Sequence, residues 1–407
     1  MSIPLDATKL RITRNPNLVE LPDPSKLQFG KNATGKMNYS PKTQAKIMKA
    51  KRIKYADHML QIQWSESYGW HEPRIVPYGN LSIDPTAGVF NYAFECFEGL
   101  KAYKDAQGRP RLFRPEVNIA RLNQSAARVA LPTFDPAAFL ALLAEFVATE
   151  SRHIPAIRGY SLYLRPVLIG TNPGLSVSHP TAALLYVVAT PVGSYFKNGP
   201  NAITLEAVNS AQWVRAWPGG SGNHKIGANY APCMVAEAAV RQRGSDQVLW
   251  LFGEDDLLTE AGTMNLFIVL RRPDLGSGIR ELVTPPLDGT ILPGVNRDSV
   301  LTLARERMEG YGWIVQERSI SMAELEAASA ADNLQEVFGT GTAAIVSPVR
   351  EIRWEGRAIS CGVSTKMGEV AAKMKMWIEA IQYGEDEHEW SVLVDELSSG
   401  ISCAVKL

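Results

Sequence analysis

Short apolar segments closed off by glycine or proline constrain this chain more than any other feature. "YSLYLRPVLIG" and "AALLYVVATPVG" are nearly continuous apolar runs with Gly or Pro at their ends, and they read as buried strands. Between such runs lie amphipathic helices. "RPEVNIARLNQSAARVALP" carries Pro115 in its first turn and Pro132 after its last. "FDPAAFLALLAEFVATES" offers Asp135 as N-cap and Pro136 at the first helical position. "GLKAYKDAQGRPRLFR" reads as two strands joined by an Asp-Ala-Gln-Gly turn. "QVLWLF", "MNLFIVL" and "NLQEVF" add strands, and a further helix opens after Pro293-Gly294. Strands and helices mix without a strict βαβ alternation and without an internal repeat, which predicts an α+β fold.

A chain of 407 residues is long enough for two domains. The apolar pattern breaks at "GSYFKNGPNA" and restarts at "ITLEAV". The expected division is an arm over 1–56, an N-terminal domain over 57–195, a connecting loop over 196–203, a C-terminal domain over 204–395 and a tail over 396–407. Residues 24–56 hold nine Lys or Arg and no acid, so they read as a solvated, mobile arm, with 34–54 as an insertion. Lys plus Arg and Asp plus Glu both number 42, and this zero balance creates no field for nucleic acid or an anionic membrane. No apolar run approaches a membrane span. Cys96, Cys233, Cys361 and Cys403 have neither disulfide nor metal-ligand spacing, which fits a reducing compartment and no metal site. The first twenty residues mix Asp6 and Glu20 with Lys9, Arg11 and Arg14 around no apolar centre, so a secretory signal is not expected. The expected compartment is the cytoplasm, with mitochondria as the alternative. The terminal "AVKL" departs from the peroxisomal tripeptide at Val405.

Chemistry enters at "PGGSGNHKIGANYAP", residues 218–232. A phosphate-binding P-loop needs Gly before its Lys and Ser or Thr after it. Lys225 is flanked by His224 and Ile226, so that reading fails. Two readings remain: a solvated loop lysine, or a lysine that forms a Schiff base with an aldehyde cofactor. Pyridoxal phosphate would need a carboxylate for its ring nitrogen, N–H groups and an Arg for its phosphate, and a donor for its phenolic oxygen. Glu260 in "LTEAGTMN", the helix start in "LPGVNRDS", the turn "GTGTA", Arg121 and Tyr230 could supply them. Singly, each has an ordinary meaning: a turn glutamate, a solvated arginine, a tight turn.

"FECFEGLKAY", "RPVLIGTNP", "HKIGANYAP", "LLTEAGTMNLF", "LPGVNRDS" and "VFGTGTAA" stand in this order along the chain. With these motifs the chain resembles the branched-chain amino acid aminotransferases, pyridoxal-phosphate enzymes of fold type IV, and most of all their eukaryotic and fungal members. The resemblance runs from "ADHML" to "QYGEDEHEW". It implies a smaller N-terminal α/β domain, a larger C-terminal domain with mixed sheets, and the cofactor between them. Lys225 is implied as the Schiff-base lysine and proton shuttle, Glu260 as partner of the pyridine nitrogen, and Tyr230 as partner of the phenolic oxygen. Arg121, the backbone of Val295 and Asn296, and Thr342 are implied on the phosphate. Thr342 and Ala343 would meet the substrate carboxylate, with Thr263 also on the substrate. Tyr92, Phe97, Tyr163 and Tyr195 would form an apolar pocket, with Arg165 as its polar support. The implied substrates are leucine, isoleucine and valine with 2-oxoglutarate or glutamate as amino-group partner, in a homodimer.

Four departures stand out. Ala344 and Ser347 occupy the positions of the Cys-x-x-Cys pair of animal members. Asn223 and His224 precede the lysine where relatives often differ, and Asn296 replaces the usual Thr or Val. The basic segment is extra. A D-amino acid aminotransferase or an aminodeoxychorismate lyase would share Lys225 and Glu260 but not the long eukaryotic motifs. A binding protein on an inactive scaffold would not need Lys225, Tyr230, Glu260 and Arg121 together.

Overall fold

The structure, a computed structural model, describes residues 3–24, 27, 55–193, 201–364 and 366–398, and the backbone of 404–406. The expectations for Tyr195 and for the basic segment 34–54 lie outside these residues. The chain forms two compact units, Met1–Tyr195 with Ile381–Leu407, and Phe196–Ala380.

The strands are β1 (Arg11–Thr13), β2 (His58–Ser65), β3 (Gly69–Trp70), β4 (Arg74–Pro77), β5 (Glu95–Phe97), β6 (Leu100–Lys104), β7 (Pro110–Phe113), β8 (Ser161–Gly170) and β9 (Ala182–Val192). Then come β10 (Ile203–Val208), β11 (Gln247–Phe252), β12 (Leu257–Ala261), β13 (Met264–Arg271), β14 (Arg280–Thr284), β15 (Trp313–Glu317), β16 (Leu334–Gly341), β17 (Ile345–Trp354) and β18 (Arg357–Ser360). The last two are β19 (Ser391–Leu393) and β20 (Ala404–Lys406). The helices used below are α1 (Gly88–Tyr92), α2 (Pro115–Arg128), α3 (Pro136–Thr149), α4 (Cys233–Gln242) and α5 (Val295–Arg307).

In the first unit an 11-stranded sheet runs β19-β7-β6-β8-β9-β2-β4-β1-β20, with β3 beside β2 and β5 beside β8. Asp135 caps α3 through Ala138 N, and Pro136 fills the first turn, where its missing N–H costs nothing. Two expectations need correction. The region before residue 57 is not simply an arm: Leu5, Leu10 and Ile12 are buried and β1 pairs β4. The C-terminal domain does not reach residue 395, because β19 adds antiparallel to β7. Trp390 explains that return: it meets Phe113 edge-on at 6.0 Å, and the guanidinium of Arg114 lies 4.2 Å from its centre.

In the second unit the sheet runs β12-β11-β10-β17-β16-β13-β14-β15, and β12 also pairs β13. That extra pairing closes six strands into a ring, which removes their open edges. Leu205, Leu249, Leu266, Ile268, Val337 and Val349 fill a common core with no more than 1% of their surface exposed.

Candidate active site

The glycine-rich loop is folded on itself by Asn229. Its Nδ2 donates to the carbonyls of Ser221 (2.7 Å) and His224 (2.9 Å), and its Oδ1 accepts from Ser221 Oγ (2.9 Å). Gly222 permits the close approach, since a Cβ there would stand 2.3 Å from Ala216 Cβ and 2.5 Å from Thr290 O. A 3-10 turn over Gly227–Asn229 then brings Tyr230 back to the lysine. Lys225 Nζ donates to Tyr230 Oη at 3.1 Å. Helix α4 begins just after this turn, at Cys233, with Pro232 at its N-cap.

Glu260 owes its position to an irregularity in β12. Leu249 pairs with Ala261 and Leu251 with Leu258, so β12 carries one residue more than β11 between these pairs. Leu258 and Ala261 thereby both reach the ring core, although they are three positions apart. Glu260 lies beside this bulge, and its Oε1 accepts from Leu292 N (2.9 Å) and Asn265 Nδ2 (3.1 Å). Arg215 Nη2 stands 2.7 Å from its Oε2. Gly262, at φ 58, and Thr263 make the tight turn into β13.

Helix α5 begins after Gly294, whose extended backbone makes no side-chain cap. The helix therefore presents first-turn N–H groups, including those of Val295 and Asn296, without a capping side chain, a setting that suits an anion. The Asn296 side chain is engaged elsewhere, since its Nδ2 donates to Gly341 O at 2.9 Å and ties the helix start to the turn of Thr342 and Ala343. The second unit thus joins Lys225 with Tyr230, Glu260 with the segment before α5, and α5 with the 342–343 turn.

The remaining expected residues belong to the first unit. Arg121, on α2, is buried and forks onto Glu98: Nε to Oε1 at 2.6 Å and Nη2 to Oε2 at 2.9 Å. Phe97, Tyr163 and Arg165 come together across β5 and β8. The Arg165 guanidinium lies 4.9 Å from the Phe97 ring centre, and its Nη2 donates to Tyr163 Oη at 3.0 Å. A cation thus lies among the aromatic rings of a group expected to be mainly apolar. Burial raises the Glu95 carboxyl above its ordinary range, and Arg165 opposes this. Tyr92, at the end of α1, makes other contacts: it is 36% exposed and its hydroxyl donates to Leu175 O.

Arg215, Asn265 and Glu98 escaped the sequence reading. Glu98 and Asn265 lie inside quoted motifs, but nothing in the order of residues says which charge each one meets. Arg215 sits in "WVRAWP", where no periodicity singles it out.

These groups match the needs of pyridoxal phosphate. There is an amine on a phenol, a buried carboxylate beside a guanidinium, and an uncapped helix start for a phosphate. A ring of strands carrying this set defines an enzyme that works through a lysine amine. The family model of class IV amino-transferases matches residues 95–352. The cytosolic branched-chain-amino-acid aminotransferase of Saccharomyces cerevisiae is 46% identical over 398 residues, 97% of this chain and 99% of that one. The mitochondrial enzyme of the same yeast is 46% identical over 404 residues, covering 97% and 95%. The branched-chain aminotransferase of Thermoproteus uzoniensis, solved with norvaline, superimposes with a TM-score of 0.64 at 26% identity, covering 82% of this chain and 99% of that one. Other solved aminotransferases of this fold are described with pyridoxal phosphate or pyridoxamine 5′-phosphate. The chain belongs to the class IV aminotransferase family.

Proposed function

We infer that the protein is a pyridoxal-phosphate-dependent aminotransferase that moves the amino group of leucine, isoleucine or valine to 2-oxoglutarate, reversibly. The observation that carries this reading is the Lys225–Tyr230 contact in the same unit as the buried, charge-paired Glu260. When bound, the cofactor supplies an electron sink for the bond broken at the substrate Cα.

The protein's own residues do the rest. Lys225 carries the proton between the substrate Cα and the cofactor, so it must be free to gain and lose one. Tyr230 orients that amine through its hydroxyl. Glu260, as a carboxylate, accepts the hydrogen bond of the ring N–H and keeps that proton in place. The N–H groups of Val295 and Asn296 bind the phosphate at the helix start, with Thr342. The N–H groups of Thr342 and Ala343 hold the substrate carboxylate. For Arg121 on the phosphate, and for Thr263, Tyr92, Phe97, Tyr163, Arg165 and Tyr195 on the substrate, the support is the family resemblance; Phe97, Arg165 and Thr263 stand inside its motifs. A homodimer is proposed on the same ground, and sedimentation at working concentration tests it. A cytoplasmic location is proposed, with mitochondria as the alternative, because the yeast relatives are of both kinds, and a tagged chain followed by microscopy decides between them.

Lys225→Ala should transaminate leucine with 2-oxoglutarate at least about 1,000-fold more slowly than the parent, because no second amine takes its place. A rate near the parent's would end this reading.

A further inference from the structure

We propose that Arg215 is a positioning residue for the transamination: as the cation beside Oε2 it keeps Glu260 ionised, so that the carboxylate can hold the proton on the cofactor's ring nitrogen. This rests on the role proposed for Glu260.

Glu260 is 2% exposed. A carboxylate taken so far from water goes neutral unless a cation or several donors stabilise its charge. The two donors to Oε1, Leu292 N and Asn265 Nδ2, are neutral. They orient the group but bring no counter-charge. Arg215 brings one, at 2.7 Å from Oε2, with 8% of its side chain exposed. A guanidinium stays charged at every working pH, and its rigid plane can be held through one nitrogen while another faces a charge. Arg215 Nη1 donates to Thr290 O at 3.1 Å, which holds the guanidinium beside the carboxylate. Thr290 is itself fixed, since Asp288 Oδ1 accepts from its N (2.9 Å) and its Oγ1 (2.6 Å). Thr290 O is also the atom on which Gly222 of the lysine loop closes. Arg215 therefore links the carboxylate to the strand-to-helix segment against which the lysine loop packs. A neutral Glu260 would share a proton with the ring nitrogen instead of holding one there, and the electron sink would weaken.

The test compares holoenzymes of R215M, R215Q, R215K, E260Q and the double variant R215M/E260Q. Visible absorbance is titrated across pH, and kcat and KM are measured for leucine. R215M and R215Q should lose about tenfold or more in kcat with KM within about threefold, because the lost interaction acts on the reacting system and not on leucine. Their spectral titrations should match that of E260Q, and the double variant should be no slower than the slower single one. R215K should recover most of the parent's titration. Should R215M fail to fold, R215Q carries the same test, since it removes only the charge and the fork. The proposal falls if R215M or R215Q titrates and turns over like the parent while E260Q is impaired. It also falls if the two losses multiply in the double variant. If E260Q itself behaves like the parent, the reading of Glu260 fails first.

Discussion

Lys225 and Tyr230 meet because five positions separate them and a single 3-10 turn spans most of that interval. Such a contact is legible in a sequence, since one loop holds both partners. Arg215 with Glu260, and Glu98 with Arg121, are not legible in that way. Each pair joins residues that only the folded chain brings together, and neither partner sits in a period that betrays the other. The thiols show the same limit. Cys96 and Cys361 are buried, and burial pushes both thiols far above their ordinary range. Burial also raises Cys233, with Arg215 opposing and Glu237 and Glu260 reinforcing. Oxidation needs thiolate, and Ala344 and Ser347 offer no sulfur. Activity should therefore survive moderate peroxide, within about twofold. Rapid loss reversed by a reductant, and abolished in C233S, would show that Cys233 is reactive after all.

At the scale of elements, local signals were strong where the backbone rule is local. The Asp135 cap with Pro136 behind it marked the start of α3 to the residue. The bulge in β12 left no such mark, because an extra residue is defined only against the strand beside it. The same holds for the lysine loop, whose shape depends on Thr290 from a distant segment. Gly222→Ala tests that dependence. A Cβ at Gly222 would clash with both Ala216 and the backbone carbonyl of Thr290, and neither is the end of a flexible side chain. The variant should fold, lose about 1 to 3 kcal/mol of stability, and slow leucine turnover at least about tenfold, because Lys225 sits three residues on. Thermal unfolding and steady-state rates measure both effects; parental values for both would show that the loop yields without consequence.

At the scale of the whole molecule, the α+β class and the two-part division follow from strand and helix order, but the unit boundaries do not. Residues 3–24 join the first unit through a polar network around Asp57 that no composition reveals. Asp57 Oδ1 accepts from Val19 N (2.8 Å), and Oδ2 accepts from Arg152 Nε (2.7 Å) and faces His153 Nε2 (2.9 Å). Burial alone would raise the Asp57 carboxyl, but Arg152, His153 and Val19 N outweigh it and bring it down to about 2. The folded value lies below the unfolded value of 3.8, so the contribution to stability is complete above that unfolded value and lost as pH falls through about 2. It amounts to about 2 kcal/mol at neutral pH. Asp57→Asn should therefore melt earlier than the parent at pH 7, and the gap should narrow as acid approaches pH 2. A gap that stays constant across that range would detach Asp57 from the acid sensitivity of the first unit.

The return of β19 to β7 has a consequence for how a cell makes this protein. A ribosome adds residues from the N-terminus, so all of Phe196–Ala380 is synthesised as one uninterrupted stretch, and its ring of strands can close as soon as that stretch emerges. The first unit starts earlier yet finishes later. Until Ser391–Leu393 is translated, β7 has no neighbour on its outer side, and its N–H and C=O groups there form an open edge. A transcript cut short before codon 391 would yield a chain with its lysine unit whole and its older half still exposing a strand to any passing partner.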